Sequence, residues 1–282
     1  MSAANDAKSS QDVARSELVA ANKTLLTSGK GYDLTLKCRD QTFKVHKAII
    51  CSRSDFFSAC CWGNFKEAKS KCIDLSDDDP KLLSKLLDYL YALEYNVIDV
   101  PSSNDSNSYH PELMVHASLY IIADKYGVNG LKTIAKDSFI RTLSDEVRDP
   151  PNSSPRDLSR LPEIAAPAIV LLYDSVVKTN DPLRREIQNY FQRNIEIFLH
   201  LEAFKDLLAS VPDLSYYLLV HTAEEASSAR ADAESERRGR YRDDRALWAR
   251  RSYSQRSRDA SVYGLGSRSE SAELLDEILR LQ

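Results

Sequence analysis

The spacing of apolar residues changes abruptly in the first part of this chain. Between Tyr32 and Val45 apolar and polar residues alternate on both sides of a polar stretch that begins at Arg39-Asp40. A period of two is that of a strand with one buried face, so this stretch predicts a β-hairpin. Residues 71–75 predict one further short strand, whereas most other apolar patterns have helical spacing. The chain is therefore expected to have an α+β fold, with one small sheet among many helices.

Helices are predicted on both sides of the hairpin. A helix over about 12–28 is indicated by apolar residues near helical spacing, namely Val13, Leu18, Ala21 and Leu25. Ser54 is suited to cap a helix that starts at Asp55. The clearest helix begins at Pro80 after three aspartates, and its apolar stripe consists of Leu83, Leu86, Leu87 and Leu90. Each buried leucine contributes roughly 1.5–3 kcal/mol, so this stripe requires a surface to pack against.

Composition divides the chain into five segments. Residues 1–11 are polar and are expected to be disordered, and 12–143 form a first domain with a Ser/Asn-rich loop at 99–110. Residues 144–162 contain four prolines and are interpreted as a linker. An all-helical region is predicted over 163–221, with helices at about 163–178, 182–199, 202–210 and 213–221. Residues 222–282 form an Ala/Ser/Arg-rich tail that is predicted to be disordered or helical.

Several classes of function are disfavoured by composition. The chain has 8 glycines in 282 residues, and they match neither of the two common phosphate-binding loops. Its 5 cysteines all lie within residues 38–72 without a C-x-x-C pair, and its histidines lack metal-ligand spacing. We therefore expect no disulfide framework, metal or cofactor, and no catalytic activity. The polar N-terminus and the lack of an 18-residue apolar run predict an intracellular protein, in cytoplasm or nucleus, with no membrane contact.

The tail is neutral as a whole, but its charges are segregated. It has twelve arginines, twelve acids and no lysine, and nine of those arginines lie at 237–258 against Asp243 and Asp244. The local charge of +7, with interleaved aromatic residues, is typical of a surface for nucleic acid or an acidic partner. The candidate contact residues are Arg237, Arg238, Arg240, Arg242, Arg245, Trp248, Arg250 and Arg251. The alternative is a solvated, partly helical tail with ion pairs such as Glu234–Arg238.

Two further features lie in the tail. Ser252 and Ser254 follow two arginines and are candidate phosphorylation sites, where a phosphate would reduce the positive charge. Residues 271–282 predict a short amphipathic helix, with Leu274, Leu275, Ile278, Leu279 and Leu281 as its apolar residues. A helix of this length is unstable alone, so we interpret it as one that binds a partner or docks back onto the chain.

Six sequence elements between Tyr32 and Leu131 occur in a characteristic order. They are residues 32–36, 43–57, 64–68, 73–75, 87–91 and 122–131. Together they resemble the BTB/POZ domain of the fungal single-domain type. Residues 163–220 are similar to the helical region that commonly follows this domain, like a shortened BACK region. The resemblance implies a BTB/POZ fold followed by an all-helical region.

The resemblance also implies a function. BTB/POZ domains are non-enzymatic interaction modules that often self-associate, and many bridge a client protein to a cullin-3 ubiquitin ligase. In such adaptors a hydrophobic-x-Glu element after the third helix contacts the cullin, and Phe65 and Glu67 match it here. The alternative is that Phe65 folds back onto the core and Glu67 is solvated surface. We expect a self-associating scaffold or substrate adaptor with an unknown client. The alternative function is a nuclear BTB protein in transcription or chromatin regulation, whose Arg-rich tail contacts nucleic acid or acidic partners.

A homodimer is implied as well. The leading helix matches the family's dimer helix in position, which makes Leu18, Ala21 and Leu25 candidate interface residues. Asp33 and Lys47 match positions that form a charged pair near the dimer interface of BTB transcription factors, in which arginine usually replaces the lysine. Lysine cannot reproduce the planar pairing of arginine, so corepressor binding of that kind is not favoured. His46 is expected to be a hydrogen-bonded structural residue.

Overall fold

A computed structural model describes residues 10–63, 70–97, 110–147, 161–176 and 180–262. The chain divides into two compact units, one up to Leu218 and one from Leu219 onward. Within the described ranges the structure has three strands and eleven helices, which confirms the predicted α+β fold class. None of the helices in these ranges is both long enough and apolar enough to span a membrane.

The sheet has the predicted hairpin and one added strand. Strand β1 (Leu34–Cys38) lies between β2 (Gln41–Val45), which is antiparallel to it, and β3 (Cys72–Asp74), which is parallel. Alternate residues of β1 are buried, as a period of two predicts. Arg39 makes the hairpin turn in the left-handed conformation, with φ 52°.

Six helices accompany this sheet in the first part of the unit. They are α1 (Ser10–Ser28), α2 (Lys47–Ile50), α3 (Asp55–Trp62), α4 (Pro80–Ala92), α5 (Pro111–Lys125) and α6 (Asn129–Val147). Helix α4 packs against α1, α2 and α5, and all four leucines of its predicted stripe are buried. Its start is also as predicted, because the Asp79 carboxylate accepts hydrogen bonds from the amides of Lys81 and Leu82 at 2.7 and 3.3 Å.

Four shorter helices and the start of a long one complete the first unit. They are α7 (Leu161–Ser175), α8 (Pro182–Arg193), α9 (Ile195–Phe198), α10 (Glu202–Ser210) and the first residues of α11 (Pro212–Val262). Helix α5 packs against both α6 and α7, and α10 packs against α7. The aromatic rings of Phe191, Phe198 and Phe204 lie within 5.1–5.8 Å of one another in the core of this region.

Two predicted boundaries in this region differ from the structure. Helix α6 continues to Val147, inside the expected linker, because no helix-breaking residue occurs before Pro150. Pro162 lies in the first turn of α7, where proline is tolerated, and residues 148–160 lie outside the described part. The predicted helix over 182–199 is interrupted at Asn194. The side-chain amide of Asn194 donates to the Tyr190 carbonyl at 2.8 Å and so competes with the backbone hydrogen bonds of a continuous helix.

The described part of the tail is helical, which is one of the two alternatives predicted for it. Helix α11 runs without a break from Pro212 to Val262, so it passes the boundary expected at residue 221. Ala, Glu and Arg are strong helix formers, and Glu234 pairs with Arg238 at 2.6 Å one turn away. From Leu219 onward none of its described side chains is buried. Of the expected disordered N-terminus, Ser10 and Gln11 belong to α1, and residues 1–9 lie outside the described ranges.

Candidate interaction surfaces

Ser54 fixes the start of α3 to the end of α5. Its hydroxyl accepts a hydrogen bond from the Phe57 amide at 3.2 Å and donates one to the Tyr126 carbonyl at 2.6 Å. The Phe57 and Tyr126 rings stack with their centres 5.4 Å apart. The Tyr126 hydroxyl donates to Asp78, and burial together with that carboxylate raises the pKa of Tyr126. Helix α3 is thereby held in a fixed position.

A second set of contacts fixes the segment before α3. The Arg53 guanidinium donates to the Leu90 carbonyl and lies 5.2 Å from the centre of the Tyr89 ring. Gly130 approaches the same ring so closely that an added Cβ would collide with the Tyr89 hydroxyl. These contacts therefore join the segment before α3 to α4, and α4 to the start of α6.

The far end of α3 carries a large exposed aromatic residue. Trp62 is the last residue of the helix and is 70% exposed, and the Lys47 ammonium lies 5.8 Å from the centre of its ring. Phe65 and Glu67, the candidate cullin contacts, follow within 64–69, which lies outside the described residues. Trp62 is a surface residue that the sequence reasoning did not propose. The sequence feature that could have pointed to Trp62 is a large aromatic residue at the end of a predicted helix.

The leading helix α1 packs on its own chain. Leu25 and Leu26 are half-buried against the core, and Lys23 forms an ion pair with Glu94 just beyond α4. Leu18 remains 64% exposed, and Ala21 is exposed as well. Residues 14, 18, 21 and 25 are spaced by four, three and four, so they form one stripe along the helix. Of the candidate dimer residues on α1, Leu25 thus contributes to the protomer's own core, while Leu18 and Ala21 on the same stripe are exposed.

Asp33 and Lys47 meet through the backbone. The Asp33 carboxylate accepts a hydrogen bond from the Lys47 amide at 2.8 Å, whereas the Lys47 ammonium lies over the Trp62 ring. The arrangement differs from the side-chain pair that the resemblance implies. Next to it, His46 bonds the Tyr91 hydroxyl through Nδ1 at 2.8 Å and the Lys30 carbonyl through Nε2 at 2.9 Å. These contacts confirm the structural role predicted for His46.

A buried polar network joins the sheet-containing part to the following helices. Asp181 caps α8 and is 1% exposed, and its carboxylate accepts hydrogen bonds from the Tyr120 hydroxyl at 2.7 and 2.8 Å. The Lys132 ammonium lies 3.2 Å from Asp181 and 2.7 Å from Asp124. Burial disfavours the charge of Lys132, but the bond to Asp124 and the nearby charges outweigh it and raise its pKa. The sequence identified Asp181 only as a cap.

None of the five cysteines, all of which lie in the described ranges, forms a disulfide. Cys38, Cys51 and Cys61 are buried, and Cys60 and Cys72 are partly buried. Burial raises the pKa of Cys51 to about 12, with a hydrogen bond to Cys61 adding to the effect. A thiol held in the protonated form is a poor nucleophile, so we assign the buried Cys51 a packing role in the core. No cluster of three His, Cys, Asp or Glu residues suited to a metal ion occurs in the described part of the chain.

The Arg-rich candidate residues all lie on α11 in the second unit. Tyr241 and Trp248 are 71% and 68% exposed, and the arginines from 237 to 251 are exposed around them. Arg240 pairs with Glu236 at 3.9 Å, so part of the positive charge is matched along the helix. Ser252 is half-buried and Ser254 is exposed, both within the helix. The structure thus presents these residues on a regular element.

The chain is similar to known proteins over its first half. A family model described as BTB/POZ domain matches residues 22–143. Kelch-like protein 40 of Xenopus tropicalis is 32% identical over 77 residues, 27% of this chain and 12% of that protein. TD and POZ domain-containing protein 2 of Mus musculus is 27% identical over 114 residues, 40% of this chain and 28% of that protein. Kelch-like protein 3 of Homo sapiens is 33% identical over 67 residues, 24% of this chain and 11% of that protein.

The matched segments therefore span less than a third of each of these relatives. Among solved structures, the BTB domain of zebrafish PATZ1 covers 48% of this chain and 97% of its own length, with 16% identity and a TM-score of 0.35. The family match begins within α1 and ends within α6, so it contains the whole sheet, the leucine stripe of α4 and the contacts that hold α3. Residues 22–143 of this chain form a BTB/POZ domain, a protein-interaction module.

Proposed function

We propose that this chain is a self-associating, non-enzymatic adaptor that recruits a client protein to a cullin-3 ubiquitin ligase. The observation that carries the proposal is the BTB/POZ domain itself, together with the hydrophobic-x-Glu element formed by Phe65 and Glu67. That element follows α3, which is anchored at its start by Ser54 and ends in the exposed Trp62. An anchored helix supports the proposal because the residues that follow it would start from a constant position.

Binding to the cullin tests the proposed contact. Purified cullin-3 is titrated with the full chain and with Phe65→Ala, Glu67→Ala and the control Lys66→Ala. Loss of an interface anchor costs about 2 kcal/mol or more, so Phe65→Ala is expected to weaken binding about 30-fold. Lys66→Ala should bind like the wild type. Equal affinity of all four proteins would remove the proposed contact, and no binding by the wild type would remove the adaptor function.

The stripe on α1 supports self-association. Ala14, Leu18 and Ala21 are exposed although they share one line of the helix with Leu25, which packs against the core. Small and medium apolar residues spaced by four and three suit close packing against a second helix. We infer that two copies pair through this stripe while each α1 stays on its own α4.

Light scattering tests the pairing with two matched substitutions. Leu18→Asp introduces a charge into the stripe, whereas Ala20→Asp introduces it at an exposed neighbouring position outside the stripe. At micromolar concentration the wild type and Ala20→Asp should have twice the 31.8 kDa mass of the chain, and Leu18→Asp should be monomeric. A monomeric wild type contradicts the inference, as does a Leu18→Asp dimer.

A second candidate function rests on the tail. The exposed arginines of α11, with Tyr241 and Trp248 among them, suit contact with nucleic acid or an acidic partner, as in a nuclear BTB protein of transcription or chromatin. For single-stranded oligonucleotide, affinity should fall steeply with salt. Replacing Arg245 by Ala should reduce the logarithmic slope by about 0.7, whereas the control Arg39→Ala should leave it unchanged. A slope near zero for the wild type contradicts nucleic-acid binding.

A further inference from the structure

One face of α11 carries three large apolar side chains of the second unit. They belong to Tyr241, Leu247 and Trp248, which are 71%, 54% and 68% exposed on the helix. At about 100° per residue these three fall within an arc of about 120°. Arg237, Arg240, Asp244 and Arg251 fall within the same arc. We call these seven residues the aromatic face.

The aromatic face has the composition of a binding surface. Tyrosine, tryptophan and arginine are the residues that most often anchor protein contacts, and exposed rings of this size gain free energy when covered. Residues 237–251 contain seven arginines against Asp243 and Asp244, which gives a net charge of +5. An occupant that suits this face is therefore apolar on one side and acidic overall.

One segment of the chain has this composition. Residues 271–282 contain five leucine or isoleucine residues, with Glu273, Asp276, Glu277 and one arginine, for a net charge of -2. The sequence predicts that in a helix the leucines and Ile278 share one side and the acids the other. A helix of this length requires a partner surface to be stable.

The connection is long enough for a return along α11. From Val262 back to Trp248 the helix rises about 21 Å, and back to Tyr241 about 32 Å. The eight residues 263–270 include Gly264 and Gly266 and reach up to about 27 Å when extended, and a twelve-residue helix adds about 18 Å. The segment can therefore lie antiparallel to α11 over both rings.

We propose that residues 271–282 fold back as a helix onto the aromatic face of α11 in the same chain. Its leucines cover Trp248, Leu247 and Tyr241, and its net charge of -2 is opposite in sign to the net charge of +5 of residues 237–251. A second copy of α11 is a less suitable occupant, because it would bring arginine against arginine. The contact would occupy the surface that the tail offers to acidic partners.

Tryptophan fluorescence of the full chain tests the proposal, because the chain has only 2 tryptophans. The exposed Trp62 is replaced by Phe, so that emission reports Trp248 alone. The test variants in this background are a chain ending at residue 270 and Leu275→Asp. The control is Arg280→Gln, which changes the net charge by the same amount as Leu275→Asp but lies on the side of the predicted helix opposite the leucines. If Trp62→Phe does not fold, the Trp248 signal is obtained by subtracting the spectrum of Trp248→Phe.

In the Trp62→Phe chain, which is the background chain, Trp248 should emit at shorter wavelength than in the two test variants. Acrylamide should also quench its emission severalfold less than in those variants. Arg280→Gln should behave like the background chain. If Trp248 emits like a solvent-exposed indole and removal of 271–282 does not change its emission, the proposal is overturned. A short-wavelength emission lost on tenfold dilution would assign the contact to a second copy. Loss on nuclease treatment would assign the face to nucleic acid, and either result would overturn the intrachain contact.

Discussion

His116 is an ionisable residue that the fold keeps uncharged. It is 4% exposed, and its Nδ1 lies 3.0 Å from the Tyr95 hydroxyl. Burial, with smaller contributions from the charges of Arg141 and His110, lowers the pKa of His116 to about 4. The neutral imidazole therefore belongs to the packing of α5, and protonation opposes folding.

Acid is expected to destabilise the first unit through His116. In the unfolded chain histidine takes up a proton near pH 6.5, whereas in the folded chain it does so only near pH 4. Stability contributed by this residue is complete above pH 6.5 and is lost as the pH falls toward 4. Between pH 7 and pH 5 the loss is about 2 kcal/mol.

Urea unfolding at the two pH values checks this expectation. His116→Gln keeps a polar partner for Tyr95 but does not titrate, so its loss between pH 7 and pH 5 should be smaller by about 2 kcal/mol than that of the wild type. An equal loss in both proteins would show that other groups carry the acid sensitivity. This role could not be predicted from the sequence, because the burial of His116 depends on how α6 and the Tyr95 ring pack against α5.

At the scale of elements, two helices start with the same dipeptide but in different surroundings. Asp79-Pro80 opens α4 and Asp181-Pro182 opens α8, and both aspartates accept hydrogen bonds from the first helical amides. Asp79 is exposed, whereas Asp181 also holds Tyr120 and Lys132 in a buried network. The two aspartates therefore cap their helices in the same way, but only Asp181 is also part of a buried polar network.

Replacing each aspartate by alanine separates capping from the network. Asp79→Ala should lower the free energy of unfolding by about 1 kcal/mol, the value of a helix cap. Asp181→Ala should lower it by about 3 kcal/mol or more, because it also leaves the Lys132 charge buried without one of its partners. Urea unfolding measures both. A loss at Asp181 no larger than that at Asp79 would mean that the network contributes nothing beyond the cap.

The elements that could be predicted are those with strong local signals. The hairpin, the cap at Ser54 and the leucine stripe of α4 follow from alternation, capping chemistry and helical spacing within a few residues. The end of α6 and the break at Asn194 depend on competition between nearly equal local preferences. The surfaces were less predictable, since Trp62 becomes a candidate only once α3 is placed, and Asp181 only once Tyr120 lies beside it.

At the scale of the whole chain, the helices after the BTB/POZ domain belong to the same unit as the domain. Helix α5 is covered on one side by α6 and on another by α7, and the His110 amide donates to the Ile164 carbonyl at 2.9 Å. The Asp181 network adds polar contacts between the two parts. The domain and the helices up to Leu218 should therefore unfold together.

Two truncations test this expectation. A chain ending at Val147 loses the cover of α5 and should be less stable by roughly 3 kcal/mol or more, since at least two large apolar side chains become exposed. A chain ending at Leu218 should unfold like the full protein, because no described side chain beyond it is buried. Chemical denaturation followed by circular dichroism compares them. Equal stability of the shorter chain and the full protein would contradict a single cooperative unit.

The arginine composition of α11 has a consequence for a protein proposed to act beside a ubiquitin ligase. Ubiquitin is attached to the amine of lysine, which arginine cannot replace. The last lysine of this sequence is Lys205, so the exposed helix from Leu219 to Val262 carries positive charge without an acceptor amine. However close this helix comes to the ligase, its side chains cannot be marked, and the protein's longest exposed element would be spared while its client is modified.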